Sequence, residues 1–306
     1  MMDKDFLTWL QGLNNDHLRL IIFVTEKCNF RCVYCYETFE KGRISDSVIS
    51  GIKNLLRKRL DELKTLQLSF FGGEPLLHPD VILDLMSFAI FHSRKDQIIQ
   101  GDITTNGYFM TPDVARNLLE HNVNSFQITV DGTQNWHDRL RPTAGGKPTF
   151  QKIVSNIKNL LSFDRDFSLI VRFNIYDENY DSVIEFMETY EFLSDPRVHL
   201  HFHPIFGNPH MRLTRSMETL KELARKKGYK IMDIASVCYA SLGNNFIIRS
   251  DGTIQKCTVA LDDPVNTIGH IAEDGTLHLN TELLRKWVFS GNWACPLKAI
   301  QQKATA

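Results

Sequence analysis

Short apolar runs alternate with helical patterns along the first two thirds of the chain. The runs are rich in β-branched and aromatic residues and are bounded by turn residues, which is typical of strands in repeated βα units. The predicted strands are Leu18 to Thr25, Leu66 to Phe71, Gly101 to Thr105, Ser125 to Val130, Ser168 to Ile175 and Val198 to Ile205. Six such units predict an α/β fold with a parallel sheet, built as an open or partial (β/α)6 barrel.

Helical patterns fill the connections between these strands. The clearest one places apolar residues on one stripe from Val48 to Leu63, behind a cap at Ser45 or Asp46. Similar patterns cover Asp80 to Ile90 and Pro112 to Glu120. Each of these helices can cover one face of the sheet while it connects two parallel strands.

The pattern changes after Pro204, which suggests a boundary. A helix from Ser216 to Lys227 is predicted, then two hairpins around Asp-Gly turns, Phe246 to Lys256 and Ile268 to Leu279, and a last helix from Glu282 to Phe289. The tail QQKATA is expected to be disordered. The predicted organisation is an N-terminal segment (1–17), the partial barrel (18–210) and a small C-terminal α+β domain (211–306).

Composition narrows the possible partners and the compartment. Lysine and arginine total 35 against 36 acidic residues, so the net charge of -1 gives no reason to expect nucleic acid or an anionic membrane as partner. The first twenty residues lack the apolar core of a signal peptide, and no apolar run approaches the length of a membrane span. We therefore expect a cytoplasmic protein, in which six cysteines are metal ligands or catalytic thiols rather than disulfides.

Three of the cysteines crowd together directly after the first predicted strand. Cys28, Cys32 and Cys35 lie in KCNFRCVYCYE, at the carboxyl end of a strand, where parallel α/β folds bind their ligands. Three thiolates can hold three irons of a 4Fe-4S cluster and leave the fourth iron open. Structural zinc normally has four ligands, and no nearby cysteine or histidine supplies the fourth. The spacing therefore predicts an iron–sulfur cluster.

Two further motifs end the next two strands. Gly72, Gly73 and Glu74 precede a proline after the second strand, and Thr105, which ends the third strand, is followed by Asn106 and a glycine. Taken alone, the first motif is a turn as often as a site, and the second is better explained as a plain turn. Glycines allow close backbone approach, a carboxylate accepts from an ammonium group, and hydroxyl and amide groups suit a sugar.

In this order, the motifs resemble those of the radical S-adenosylmethionine (radical SAM) superfamily, which also has an aromatic residue, here Tyr34, before the third cysteine. The resemblance implies that the cysteines bind a 4Fe-4S cluster and that Gly72, Gly73 and Glu74 receive the SAM amino group. It also implies that Thr105 and Asn106 bind the ribose. Arg172 matches a position that can meet the SAM carboxylate, although a surface salt bridge would explain it as well. Reductive cleavage of SAM would then give a 5'-deoxyadenosyl radical that abstracts hydrogen from the substrate.

The next stretch resembles radical SAM enzymes that carry a SPASM or twitch domain and modify peptides or proteins. The matching positions are 129–132, 137–141, 145–146 and 149–150. Asp131 lies at the end of the fourth strand and is the candidate catalytic residue, because it could accept a proton there or bind SAM or substrate; the alternative is that it simply begins an Asp-Gly turn. His201 and His203 alternate along the sixth strand and could face the barrel interior together, or could be satisfied core or surface residues.

The remaining cysteines, Cys238, Cys257 and Cys295, are loosely spaced around the first C-terminal hairpin. The hairpin and the cysteine after it resemble the element around an auxiliary 4Fe-4S cluster of a SPASM or twitch domain. The cysteine-dense segment that completes a full SPASM domain is absent, so a second auxiliary cluster is not expected. The cluster would keep an open site, use a noncysteine ligand, or be incomplete because the chain is shortened. Incidental structural cysteines are the alternative.

The resemblance implies a maturase that cross-links a ribosomally synthesised peptide. Its partners would be a peptide or protein substrate and an electron donor such as a flavodoxin or ferredoxin. An anaerobic sulfatase-maturing enzyme, which makes formylglycine, is the nearest alternative, but that family normally has cysteines for two auxiliary clusters. A noncatalytic iron–sulfur or SAM-binding protein is the alternative of another class.

Overall fold

The computed structural model describes residues 4–205, 208, 210–233 and 235–304, and its strands lie in one continuous eleven-stranded sheet. Six parallel strands come first in the chain and lie side by side in chain order. They are β1 (His17–Thr25), β2 (Thr65–Gly72), β3 (Ile98–Thr105), β4 (Val123–Thr129), β5 (Ser168–Ile175) and β6 (Val198–Pro204). The six predicted strands are confirmed, with ends shifted by at most three residues.

Helices connect the strands and cover one face of the sheet. They are α1 (Lys4–Gln11), α2 (Asp46–Arg59), α3 (Pro79–His92), α4 (Pro112–Glu120), α5 (Gln134–Leu140), α6 (Phe150–Leu161), α7 (Tyr180–Thr189), α8 (Met217–Lys226), α9 (Thr281–Val288) and α10 (Pro296–Ala304). The expected cap is present, because Ser45 Oγ accepts from the Val48 amide at 3.3 Å. No helix within the described residues combines the length and apolarity needed to span a bilayer.

The C-terminal strands extend the same sheet. β7 (Lys230–Ile231) pairs with β6, and β8 (Asn245–Ile248) pairs parallel to β1. β9 (Thr253–Gln255), β10 (Thr267–Ile271) and β11 (Leu277–Leu279) follow in antiparallel order, which confirms both predicted hairpins. Since β1 and β6 each have another outer neighbour, the six-stranded barrel is open. The expected disorder of the tail is wrong for residues 301–304, which continue α10.

The two faces of the parallel sheet differ in polarity. Phe173 and Phe202 stack with ring centroids 5.6 Å apart on the face that packs against the helices. The opposite face, here the polar face, carries partly exposed polar side chains: Arg19, Gln67, Asp102, Thr104, Gln127, Arg172, His201 and His203. Parallel sheets are normally buried and apolar on both faces. A polar, partly exposed face is therefore the candidate ligand-binding side of this sheet.

Candidate functional site

The loop that carries Cys28, Cys32 and Cys35, here the cysteine loop, begins directly after β1 and is fixed by local hydrogen bonds. The Cys35 amide donates to the Cys32 carbonyl at 3.1 Å, and the Phe30 amide donates to Cys28 Sγ at 3.4 Å. Lys27 Nζ holds the far side of the loop by donating to the Phe39 carbonyl at 2.6 Å. All three cysteines are free thiols, so they are available as ligands.

Loss of water around the sulfur atoms controls the protonation of these thiols. It raises the pKa of Cys28 to about 12 and that of Cys35 to about 11, and it also raises the pKa of Cys32. A bound metal must therefore displace a proton from each sulfur. Among the described residues, no three potential ligands lie close enough to share a single metal ion. A 4Fe-4S cluster has a wider requirement, since each thiolate binds a different iron, and these three thiols fit it.

The loop after α5 supports the cysteine loop through its backbone. Arg31 and Val33 amides donate to the Pro142 and Leu140 carbonyls at 2.9 and 3.0 Å, and the Ala144 amide donates to the Asn29 carbonyl at 2.8 Å. Residues 140–144 therefore form the wall against which the cysteine loop is ordered. The stretch at 137–141, which lies more than a hundred residues after the cysteine motif, therefore ends beside that motif in the fold.

The two glycines at the end of β2 bring that strand against the base of the cysteine loop. Gly72 has a φ of +111°, and its α-carbon lies against the Thr25 carbonyl where a Cβ would collide. Gly73 meets the Lys27 carbonyl in the same way and donates its amide to the Thr25 carbonyl at 3.0 Å. The glycine pair therefore allows close approach to the chain that leads into Cys28.

Glu74 is fully buried and holds the ends of β2 and β3 together. Its carboxylate accepts from Thr105 Oγ1 at 2.6 Å, from the Asn106 amide at 2.7 Å and from the Leu76 amide at 2.9 Å. Burial raises its pKa, while the hydrogen bond from Thr105 acts in the opposite direction. Asn106 Nδ2 in turn donates to Asn29 Oδ1 at 2.8 Å, inside the cysteine loop. The predicted motifs at 72–74 and 105–106 therefore meet at the cysteine loop.

Tyr34 and Asp131 join the cysteine loop to β4. The Tyr34 hydroxyl donates to Asp131 Oδ2, and the Asn174 amide donates to Asp131 Oδ1 at 2.8 Å. Asp131 is fully buried, and this burial raises its pKa although the nearby Arg141 charge opposes the shift. Both carboxylate oxygens are therefore already used to position neighbouring groups.

Arg141 is a site residue to which the sequence analysis gave no role. Its side chain is buried, and Nη1 donates to the Tyr34 hydroxyl at 2.7 Å, while the buried Nε has no hydrogen-bond partner within the described part of the chain. Its positive charge acts to lower the pKa values of Cys28, Cys32 and Glu74. A guanidinium whose Nε lacks a partner in the described part of the chain therefore lies near the cysteine loop and the Glu74 motif. The sequence signal for Arg141 was the stretch 137–141, which resembles a family of enzymes but does not indicate which groups Arg141 contacts.

His137 positions Asp131 directly and Arg141 through Thr149. Its Nδ1 accepts from the Asp131 amide at 3.3 Å, and its Nε2 lies 3.2 Å from Thr149 Oγ1, which donates to the Arg141 carbonyl at 2.8 Å. Burial lowers the pKa of His137 well below its usual value, so the ring is neutral. An accepting Nδ1 implies that Nε2 carries the proton.

Arg172 lies on the polar face beside β6. Its Nε donates to Asn174 Oδ1 at 2.9 Å, and within the described ranges the nearby Asp131 carboxylate forms its ion pair with Arg141 Nη1, at 3.8 Å, and not with Arg172. His201 and His203 follow on the adjacent strand, so the predicted common orientation of the two histidines is present. The polar face at β5 and β6 is therefore rich in donors.

The C-terminal cysteines converge at one end of the added strands. The Cys238 amide donates to the Trp293 carbonyl at 2.8 Å, two residues before Cys295. Tyr239, next to Cys238, accepts from the amide of Thr258, next to Cys257, at 2.9 Å. Burial raises the pKa of Cys238, and the nearby sulfur atoms of Cys257 and Cys295 act in the same direction. All three are free thiols.

A buried ion pair connects the C-terminal strands to the cysteine loop. Arg249, just after β8, pairs with Glu26, which precedes the loop by two residues, and both side chains are almost fully buried. Ser250 Oγ donates to Glu26 Oε1 at 3.0 Å, and Arg249 Nη1 donates to the Leu261 carbonyl at 3.2 Å. These contacts tie the segment that leads into the cysteine loop to the strands that flank Cys257.

A surface groove of about 860 Å³ lies at the opposite end of the sheet, around the amino ends of β4 to β6. Its lining includes Asp195 and Arg197, which already pair at 2.7 Å. None of the predicted site residues lines it. The groove is therefore not the candidate functional site, although it is large; that site lies at the carboxyl ends of the strands, where the predicted residues meet.

The chain belongs to the radical SAM superfamily, whose sequence model matches residues 22–190. It is 25% identical to the cysteine-type anaerobic sulfatase-maturating enzyme of Clostridium novyi, over 83% of this chain and 76% of that protein. Its fold is similar to that of anSMEcpe with bound AdoMet and Kp18Cys peptide, with a TM-score of 0.68, 18% identity, and coverage of 89% and 84%. Streptococcus suis SuiB bound to precursor peptide SuiA is also similar, with a TM-score of 0.59, 11% identity, and coverage of 93% and 68%.

These comparisons confirm the family, the α/β fold and the expectation of an enzyme. Membership of the superfamily implies a 4Fe-4S cluster and SAM as cofactors. The roles of individual residues, the auxiliary cluster, the domain boundaries and the electron donor stay predictions.

Proposed function

We propose that the protein is a maturase that uses a SAM-derived radical to cross-link a peptide. The observation that carries this proposal is the meeting of three motifs at one point, where Glu74 accepts from Thr105 and Asn106, and Asn106 donates to Asn29 beside Cys28. When bound, a 4Fe-4S cluster and SAM supply a 5'-deoxyadenosyl radical after one-electron reduction, here by a flavodoxin or ferredoxin.

In this proposal, Cys28, Cys32 and Cys35 hold the cluster. Thr105 and Asn106 bind the SAM ribose, and Glu74 receives the SAM ammonium. A carboxylate offers about four acceptor positions, and three of those on Glu74 are used by protein donors. One position is left for the ligand.

We assign the SAM carboxylate to Arg141, with Arg172 as the alternative that the sequence favoured. The charge of Arg141 acts to lower the pKa values of two cysteines of the cysteine loop and of Glu74. Its buried Nε lacks a partner within the described ranges. Titrating SAM into Arg141→Gln and Arg172→Gln distinguishes the two residues. If one of these arginines binds the SAM carboxylate, its glutamine variant should bind SAM about tenfold more weakly, or weaker still.

Asp131 was expected to be catalytic, and we propose a positioning role for it instead. Its carboxylate holds the Tyr34 hydroxyl and the Asn174 amide. Tyr34 lies between the second and third cysteines, so Asp131 acts on the cluster loop through Tyr34.

Cys238, Cys257 and Cys295 would bind one auxiliary 4Fe-4S cluster. A cross-link removes two hydrogen atoms from the peptide. One is abstracted to give 5'-deoxyadenosine, and the other leaves as a proton and an electron when the new carbon–sulfur or carbon–carbon bond forms. The auxiliary cluster would accept that electron.

Formylglycine formation is the second candidate, and the similarity to the Clostridium novyi enzyme over 83% of this chain favours it. The protein, reconstituted anaerobically, should form 5'-deoxyadenosine from SAM and dithionite. Incubation with a cysteine-containing sulfatase peptide, followed by mass spectrometry, then separates the candidates. Aldehyde formation in that peptide would establish the sulfatase-maturing reaction and overturn cross-linking as the function.

A further inference from the structure

β5 and β6 bring two polar pairs together on the polar face. Arg172 is in register with His201, and Asn174 is in register with His203. The rings of His201 and His203 meet edge to face, with centroids 5.8 Å apart and planes at 83°. This cluster lies beside Asp131 and the cysteine loop, because Asn174 donates its amide to Asp131 Oδ1 at 2.8 Å.

His201 has unmet hydrogen-bonding capacity. Both ring nitrogens are buried, and neither has a hydrogen-bond partner in the part of the chain that the structure describes. Burial lowers the pKa of His201 to about 4, and the neighbouring Arg172 charge contributes. The neutral ring offers one donor and one acceptor. Buried polar groups are normally paired, so a bound group is expected to meet at least one of them.

The Arg172 guanidinium has no ion-pair partner among the residues that the structure describes. Its one side-chain hydrogen bond within the described residues runs from Nε to Asn174 Oδ1 at 2.9 Å. Asp131 is the nearby carboxylate, but Tyr34 and the Asn174 amide already occupy its two oxygens. The two terminal nitrogens of Arg172 have no hydrogen-bond partner among the described residues. A planar guanidinium of this kind is suited to a carboxylate, which it can bind through two parallel hydrogen bonds.

We propose that Arg172 and His201 form a subsite for a carboxylate side chain of the peptide substrate, supplied by an aspartate or glutamate near the modified residue. The guanidinium pairs with the carboxylate, and one His201 ring N–H donates to it. The inference rests on the proposed peptide-modifying function and on the assignment of the SAM carboxylate to Arg141. It adds the chemical class of residue that the enzyme recognises.

The test uses SAM-loaded, anaerobically reconstituted protein and two small probes, N-acetylglutamate amide and N-acetylglutamine amide. The probes have nearly the same shape and differ in charge, so calorimetric titration isolates the contribution of the carboxylate. The parent should bind the glutamate probe about tenfold more tightly than the glutamine probe. Arg172→Gln should abolish that preference, and His201→Phe should reduce it.

Two further variants guard against a loss of fold as the explanation. Arg172→Lys keeps the charge without the planar fork and should retain part of the preference. His199→Phe changes a histidine two residues earlier on β6 and the same face, and it should retain all of the preference. Each variant must first match the parent in thermal unfolding midpoint within a few degrees.

Equal affinity of the parent for the two probes would overturn the subsite. So would a loss of SAM affinity in Arg172→Gln, because the guanidinium would then serve the cofactor. The proposed function fails separately, if the parent forms no 5'-deoxyadenosine from SAM and dithionite. A parent that cleaves SAM but does not discriminate between the probes would overturn this inference alone.

Discussion

Thr105 Oγ1 donates a hydrogen bond of 2.6 Å to Glu74 Oε1, joining the carboxyl ends of β2 and β3. The other carboxylate oxygen of Glu74 accepts from the Asn106 amide at 2.7 Å. The residues expected to bind the SAM ammonium and ribose are therefore one structural unit. A change in Glu74 should alter the position of Asn106 as well as any direct contact with the ligand.

Glu74→Gln should weaken SAM binding more than it disturbs cluster assembly. The amide nitrogen of glutamine cannot accept from the donors that now surround the carboxylate, and hydrogen bonds to charged groups contribute roughly 1.5 to 3 kcal/mol. Titration of SAM into reconstituted parent and variant, alongside iron analysis, measures both effects. Glu40→Gln, an exposed residue outside the network, is the control. Equal SAM affinity in variant and parent would remove Glu74 from the binding site.

The sequence predicted this arrangement to the level of motifs and strand ends. Strand periodicity placed both motifs after successive parallel strands, whose carboxyl ends must lie at one edge. It could not predict that Glu74 bonds Thr105 and Asn106, because a motif identifies residues without their side-chain partners. Arg141 was missed for the same reason, since its contact with Tyr34 spans 107 positions.

Replacing Cys28, Cys32 and Cys35 together with alanine should abolish SAM cleavage and leave the fold largely intact. Cys28 and Cys32 are only partly buried where they pack against the core, and Cys35 is exposed, so alanine at these positions should leave most core contacts in place. The measurements are 5'-deoxyadenosine formation and far-ultraviolet circular dichroism. Residual 5'-deoxyadenosine above the no-enzyme background would contradict the assignment of these three ligands.

Tyr34→Phe should slow SAM cleavage without changing the iron content. The variant lacks the hydroxyl that donates to Asp131 and accepts from Arg141 Nη1 at 2.7 Å, while the aromatic ring is retained. Asp131→Asn should act in the same direction, because it changes the partner of the same hydroxyl.

If Asp131 acts through Tyr34, the double variant should be no slower than the slower single variant, since contacting residues are not additive. Rates of 5'-deoxyadenosine formation in the three variants test this coupling. Fully additive losses would show that Asp131 has a separate role, as the sequence analysis expected.

The buried pair of Glu26 and Arg249 should matter for stability. Arg249→Met leaves the Glu26 carboxylate buried and unpaired, which typically costs about 3 to 5 kcal/mol in the free energy of unfolding. Replacing both, as Glu26→Gln with Arg249→Met, should cost less because no charge is left unpaired. Arg116→Met breaks an exposed pair with Asp113 and should cost at most about 1 kcal/mol.

Urea unfolding of these variants tests the prediction. Equal losses for Arg249→Met and Arg116→Met would mean that the buried pair contributes no more than a surface pair. The sequence predicted the hairpin that contains Arg249 but not this contact, because nothing in a local pattern indicates that β8 pairs with β1. Long-range pairing of strands depends on tertiary packing, which residue periodicity does not encode.

The auxiliary cysteines provide the most demanding prediction. If Cys238, Cys257 and Cys295 bind a 4Fe-4S cluster, the reconstituted parent should carry about eight irons per chain, from two clusters of four. The variant with all three replaced by alanine should carry about half that amount. The variant that lacks Cys28, Cys32 and Cys35 is the reciprocal control and should also lose about half.

Catalysis should separate the two cysteine sets further. The variant without Cys238, Cys257 and Cys295 should still form 5'-deoxyadenosine in the absence of substrate, because the cluster loop is ordered by residues 140–144 and by β2 rather than by these cysteines. It should lose peptide modification, since the electron released during bond formation would have no acceptor. A parent that holds only one cluster's iron after careful anaerobic reconstitution would exclude the auxiliary cluster. The convergence of Cys238 with the segment of Cys295, through the 2.8 Å bond to the Trp293 carbonyl, would then be a structural contact alone.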